Sequence, residues 1–277
     1  MREYHYGDHP SQFARLHLPE AGGGWPVAVV IHGGFWRQRY GVELADPLAA
    51  DLARRGVAAL AVEYRRVDRR VPDGSRTSML AGPAAEAGGG WPMTLVDVAT
   101  AVDSLAASGQ VIARGRLDLT RVAAVGHSAG GHLAAWLAHR SSLGPEAPGA
   151  MDEHSVRLVG AVSQAGVLDL QVAARDGLGD GAVLDLMEGS PGSVALRYRH
   201  ASPIGLIGDG AKVVCVHGGI DDTVPPGQSV DYVSAATAAG DPAELITLPD
   251  VGHMELVDPG DPAWSVCRAR LVDLLAR

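Results

Sequence analysis

The chain has 277 residues, 47% hydrophobic and 20% charged, with a formal net charge of -9. That size and balance fit one large globular α/β domain spanning residues 1–277 rather than a disordered chain, and the acidic surplus speaks against nucleic acid or an anionic membrane as partner. No apolar run approaches the ~18 residues of a membrane span, and the opening "MREYHYGDHP" lacks the apolar core of a secretory signal, so a cytoplasmic location is expected.

Apolar runs bounded by glycine or proline mark the strands. "REYHYG" and "ARLHLP" alternate like an antiparallel edge pair. "PVAVVIH" (26–32), "VAALAVEY" (57–64), "RVAAVGH" (121–127), "LVGAVSQAG" (158–166), "KVVCVHG" (212–218) and "AELITLP" (243–249) follow. These runs are apolar throughout, as in a parallel sheet covered on both faces. Helical spacing falls between them in "GVELADPLAADLARRG", with Pro47 in its first turn, and in "TLVDVATAVDSLAAS", "AGGHLAAWLAHR", "GQSVDYVSAATAAG" and "WSVCRARLVDLLAR". Alternating strands and helices predict a doubly wound, mostly parallel α/β sheet with helices on both faces. Two long segments interrupt the rhythm: residues 66–92 read as a loop excursion over the sheet, and 167–208 as a small cap near the site. "GGGWP" occurs at Gly22–Pro26 and again at Gly88–Pro92, which reads as two loop junctions rather than a repeat.

The chemistry gathers around "VAAVGHSAGGHLAAWLA". A buried strand, a tight turn and an Ala-rich helix give G-x-S-x-G the strand–turn–helix setting in which it carries meaning. Gly126 and Gly130 let strand and helix approach, while Ser128 takes a strained backbone at the apex, at a helix start whose N–H groups favour negative charge. A serine nucleophile needs a base. His253 in "LPDVGHMEL" is the candidate base, and Asp221 or Asp222 in "HGGIDDTVPPGQS" the carboxylate that holds its ring; each lies just past a strand end. The D-x-x-V-P spacing favours Asp221, with Asp222 left open. "HGG" in "VVIHGGFWR" directly after a buried strand suits backbone N–H groups aimed at an oxyanion, with Gly34, Phe35 and Ala129 as donors. Trp36, Trp91 and Met254 are candidates to line an apolar pocket, with core packing the competing reading.

The remaining histidines read as structural: His127 beside the nucleophile packs rather than reacts, and His132, His139 and His217 sit in a helix, at a helix end and at a strand end. No paired Cys/His spacing or H-E-x-x-H suggests a metal, and no glycine cluster matches a nucleotide loop. Cys215 and Cys267 fall in a predicted strand and helix, as buried free thiols.

With "HGGFW", "GHSAGGHLA", "HGGIDDTVP" and "VGHM" in this order, the chain resembles the α/β-hydrolase superfamily from Trp25 to its C-terminus. Within it, the likeness is to kynurenine formamidases (arylformamidases) and hormone-sensitive-lipase-like carboxylesterases. Phe35 and His127 depart from the H-G-G-G and G-D-S-A-G of lipase-type esterases and look more like the formamidase branch. The resemblance implies a serine hydrolase without cofactor, with Ser128 as nucleophile, Asp221 as acid, His253 as base and His32–Trp36 as the oxyanion motif. It implies a small ester or aryl-formamide substrate, N-formylkynurenine among them. The competing readings are a generalist short-chain carboxylesterase, a peptidase, which would need a large extra domain, and a non-catalytic ligand-binding member of the fold. Self-association as a homodimer stays open.

Overall fold

The computed structural model of the protein describes residues 1–67 and 88–276. Most of the expected 66–92 excursion lies outside the described residues. Eight strands form one sheet: β1 (Arg2–His5), β2 (Phe13–His17), β3 (Trp25–Ile31), β4 (Ala58–Val62), β5 (Leu117–His127), β6 (Gly160–Gln164), β7 (Val213–Gly218) and β8 (Ala243–Leu248). Their order is β1-β2-β4-β3-β5-β6-β7-β8. β1 pairs with β2, and β2 with β4, antiparallel; all other pairs are parallel. The doubly wound, mostly parallel sheet expected from the apolar runs is present.

Strand periodicity sorts side chains to two faces. Val27, Val29 and Ile31 of β3 join Leu95, Val98, Leu133 and Trp136 in one core, contributed by α2 (Met93–Asp103) and α4 (Ala129–Ala138). Ala28 and Val30 face the other way, against Leu48, Leu52, Trp264 and Leu271 of α1 (Asp46–Arg54) and α9 (Pro262–Leu275). Each fully buried aliphatic side chain of this kind stabilises the fold by roughly 1.5–3 kcal/mol relative to exposure. β8 departs from the expectation of strands covered on both faces: it is an edge strand with Glu244 and Thr247 exposed.

The expected single helix over 94–108 is divided. After α2 the Ser104 hydroxyl bonds back to Ala101 O at 2.6 Å, a local alternative to the helix ladder, and Ala107 leaves helical geometry before α3 (Ser108–Ala113). Residues 167–208 contain three short helices, α5 (Leu170–Arg175), α6 (Leu178–Met187) and α7 (Ala195–Ala201). α6 begins with a left-handed turn at Gly179, Asp180 and Gly181. Leu170, Val183, Leu186 and Tyr198 from these helices share the core of Trp36 and Leu133, so the cap is packed onto the sheet layer. The last helix before β8 is α8 (Gly227–Ala239). Cys215 and Cys267 are buried and outside any disulfide; burial pushes both thiols up to about 12, which makes them inert.

Because β3, β5, β7 and β8 run parallel in one sheet, their carboxyl ends share one edge. His32, Ser128, Asp221 and His253 all follow those ends.

Candidate active site

Ser128 stands between β5 and α4 with φ 57° and ψ -118°. A non-glycine residue in that region costs roughly 1–3 kcal/mol, and the surroundings must enforce it. They do so by contact. A Cβ at Gly126 would lie 2.1 Å from Gly130 O, and one at Gly130 the same distance from Ile31 O. Only bare Cα atoms let β5, α4 and the end of β3 meet this closely. Ser128 N–H donates to Gln164 O at 2.8 Å, and His132 N–H donates to Ser128 O at 3.1 Å, which fixes the turn from both sides.

His253 follows β8, and its Nδ1 lies 2.7 Å from Asp221 Oδ2. Asp221 Oδ1 accepts from the backbone N–H groups of Thr223 and Val224, both at 2.9 Å. His217 Nε2 approaches Oδ2 at 3.4 Å while donating to Val224 O at 3.0 Å, and its Nδ1 accepts from Ser229 Oγ at 2.7 Å. Burial acts to raise the Asp221 carboxyl, but the hydrogen bonds from His217, His253 and the two N–H groups override it and hold it well below the usual range. Asp222 is exposed and accepts from the Thr223 hydroxyl. Geometry therefore pairs His253 with Asp221 and leaves Asp222 aside.

The loop after β3 lies against the serine turn: a Cβ at Gly33 would meet His127 O at 2.8 Å. Gly34 (φ 106°), Phe35 (φ 53°) and Trp36 (φ 56°) are three successive positive-φ residues. Gly34 is required there on a second ground, since a Cβ would meet the Tyr40 ring at 2.4 Å.

A cavity of about 230 Å³ opens at this edge, and Ser128, His253, His127, Gly34, Phe35 and Met254 all line it. Leu44 and Ala45, just before α1, line it too, with Leu48 of α1 and Val257. Ala129 is buried directly after the serine. The two tryptophans are corrected by the structure. Trp36 is fully buried, edge-on to His132 at 5.3 Å, because the positive-φ turn sends Phe35 to the cavity and the indole into the core. Trp91 is half-buried at the start of α2, 6.4 Å from His200 of α7, on the cap side. Neither lines the cavity.

His127 packs on His253 and donates from Nε2 to His253 O at 2.9 Å. Burial, with the charge of His253 adding to it, lowers its imidazole to about 3, so it is neutral. Sequence reasoning passed over Glu63 and Gln164 and read His217 as structural only, each a polar residue at the end of an apolar strand. A polar group closing such a run was the one available signal. Among the described residues, His139, Asp209 and Asp241 place donor atoms within 4.8 Å of one another. His139 is already bonded to Asp209 and Tyr232, and Asp241 accepts from Gly208 and Gly210 N–H. This trio ties loops together at the opposite end of α4 from Ser128.

The BD-FAE protein-family model matches residues 85–235, more than half of the chain. The chain belongs to the BD-FAE family. The BD-FAE match carries Ser128 and Asp221, while His253 and the His32–Trp36 loop lie outside it. Among solved structures, a truncated form of a carbohydrate esterase from gut microbiota aligns at a TM-score of 0.78 and 19% identity, over 100% of this chain and 97% of its own. A thermophilic esterase from the Planctomycetes species Thermogutta terrifontis aligns at 0.73 and 20%, over 99% and 91%. The form of that esterase phosphoramylated by tabun aligns at 0.74 and 20%, over 99% and 93%. At these identities the likeness shows the fold, an α/β-hydrolase fold. Comparison with curated protein sequences finds no match.

Proposed function

We propose that this BD-FAE protein is a serine hydrolase that cleaves a small ester, or an aryl-formamide such as N-formylkynurenine, through an acyl-enzyme. The observation that carries the reading is the 2.7 Å contact of His253 Nδ1 with Asp221, on a histidine that lines the same cavity as the strained Ser128. With Nδ1 committed to the carboxylate, Nε2 is the nitrogen left to serve as base. Ser128 Oγ adds to the substrate carbonyl as its proton passes to Nε2, and Asp221 stabilises the imidazolium formed. The N–H groups of Gly34, Phe35 and Ala129 receive the oxyanion. Collapse of the adduct breaks the ester or amide bond, and the leaving alcohol or amine takes the proton from Nε2. Water then repeats the sequence, releasing the acid and free Ser128.

The cavity supports an uncharged, apolar arm on the substrate. Among the described residues, no Asp, Glu, Lys or Arg lines it, and a cavity of ~150 Å³ already holds a benzene ring. The charged amino-acid end of N-formylkynurenine would therefore lie at the mouth, and a simple ester fits with no such demand. The carbohydrate esterase and the tabun-modified Thermogutta esterase among the structural relatives support ester cleavage as the broader activity.

Two measurements test the reading. A fluorophosphonate probe should label Ser128 and fail to label Ser128→Ala; labelling elsewhere removes the nucleophile assignment. Rates on N-formylkynurenine against p-nitrophenyl acetate and butyrate separate the substrates, and a formamide kcat/KM far below the ester values removes the narrower reading.

A further inference from the structure

Glu63 directly follows β4 and is only 3% exposed, a carboxylate buried at the catalytic edge with no part in the reaction steps. Its Oε1 accepts from His32 Nε2 at 3.1 Å and from Tyr64 N–H at 2.9 Å, and its Oε2 from Val42 N–H at 2.9 Å. Arg66 Nε stands 3.3 Å from Oε1. Burial acts to raise the Glu63 carboxyl; the neighbouring His32 and Arg66 with the Tyr64 N–H outweigh it, so it stays ionised.

The His32 ring is held on every side. It stacks on Tyr64 with centroids 4.4 Å apart and planes 10° apart, and the Tyr64 hydroxyl donates to His32 O at 3.0 Å. Its remaining nitrogen, Nδ1, donates to Gly33 O at 2.8 Å, so both ring nitrogens are engaged as donors. That last contact has a geometric consequence. Gly33 C=O and Gly34 N–H belong to one trans peptide unit, in which the two bonds point in opposite directions. A carbonyl drawn toward the His32 ring turns the Gly34 N–H away from it.

We infer that Glu63 and His32 are positioning residues that aim the Gly34 N–H at the oxyanion: the carboxylate fixes the ring, the ring fixes the Gly33 carbonyl, and the peptide plane does the rest. The inference rests on the serine-hydrolase reading and adds to it how a donor at the head of a positive-φ run, on a loop of bare glycine, is kept in one orientation. Without the ring contact the Gly33–Gly34 peptide is free to rotate, because glycine imposes little preference on either side.

The test compares wild type with Glu63→Gln and His32→Asn, each checked for folding by thermal unfolding. His32→Asn loses the reach to Glu63, and with it the anchor that holds a donor on Gly33 O, so it decides the matter if Glu63→Gln does not fold. Measured are kcat and KM for p-nitrophenyl acetate, and inhibition by a trifluoromethyl ketone, whose serine adduct bears the oxyanion. Removing an oxyanion donor costs roughly 10²–10³ in kcat, and a misaimed one should cost about 10- to 100-fold. The expected result is that loss in kcat, KM within about twofold, and inhibitor affinity weakened by the same factor as kcat. Unchanged kcat in a folded variant, or reduced kcat with full inhibitor affinity, overturns the inference. Fluorophosphonate labelling of wild-type Ser128 separates the two failures: labelled enzyme with indifferent variants sinks only the positioning role, while unlabelled wild type sinks the serine-hydrolase reading itself.

Discussion

His127 lies tilted against His253, ring centroids 4.3 Å apart and planes at 49°, with its Nε2 donating to the His253 backbone carbonyl at 2.9 Å. The residue just before the serine thus holds the loop that carries the histidine. Held neutral by burial, it tethers that loop without competing for the proton Ser128 gives up. His127→Phe keeps a ring of similar size and removes the tether. Steady-state kinetics should show kcat reduced roughly 10-fold with KM nearly unchanged, as expected when a general base is held loosely. An unaltered kcat would leave His127 as packing only.

Asp221 and Asp222 are neighbours in sequence and opposites in setting. The first is buried under His253 and accepts two backbone N–H groups; the second is exposed. Asp221→Asn keeps the shape but reverses the hydrogen bond to Nδ1, favouring the wrong tautomer, and kcat should fall about 10³- to 10⁴-fold. Asp222→Asn should stay within about twofold, the ordinary result of a surface change. Reversal of that order in p-nitrophenyl acetate turnover would move the acid to Asp222.

These two cases mark what the sequence made legible. The parallel sheet followed from apolar runs, and four site residues followed strand ends because parallel strands share a carboxyl edge. Gly126 and Gly130 were readable because a missing Cβ is itself the signal. Asp221 and Asp222 could not be separated, since spacing carries no information on which of two adjacent carboxylates turns inward. Trp36 was misplaced because its direction depends on the signs of φ at 35 and 36, which composition does not reveal. Leu44 and Leu48 wall the cavity, yet an apolar residue on an amphipathic helix looks the same whether it faces core or substrate. Glu63 stands next to last in "VAALAVEY" as an isolated charge, and its role emerges only when β4 is laid beside β3.

Gly179 of the cap touches Phe35. A Cβ at Gly179 would lie 2.3 Å from the Phe35 ring, on a backbone with φ 63°. Arg37 holds the cap in that place through an ion pair with Asp185 and hydrogen bonds at 3.4 Å to the carbonyls of Gly179 and Asp180. Gly179→Ala should therefore push Phe35 into the cavity and narrow it. The ratio of kcat/KM for p-nitrophenyl butyrate over acetate should drop, with a loss of about 1 kcal/mol in unfolding free energy from the left-handed backbone. An unchanged ratio would mean that the cap takes up the displacement instead of the ring.

Mild acid should weaken the fold before the carboxylates titrate. Burial lowers His127 to about 3 and His132 to about 4, both from 6.5. A base depressed in the folded state leaves the unfolded chain to bind protons first, so its stabilising contribution is complete above pH 6.5 and drains as pH falls toward the folded value. At pH 5 each histidine should account for a loss on the order of 2 kcal/mol. Asp51, held at about 2 despite burial by Trp264, Arg268 and Arg55, loses its contribution only below its usual carboxylate range, outside this window. Urea unfolding at pH 7 and pH 5 should thus differ by roughly 4 kcal/mol. His132→Gln keeps a donor for Ala201 O, which His132 Nε2 meets at 2.9 Å, and removes the titration, so the variant should recover about half of the difference. A drop of the same size in His132→Gln would assign the acid sensitivity to other groups.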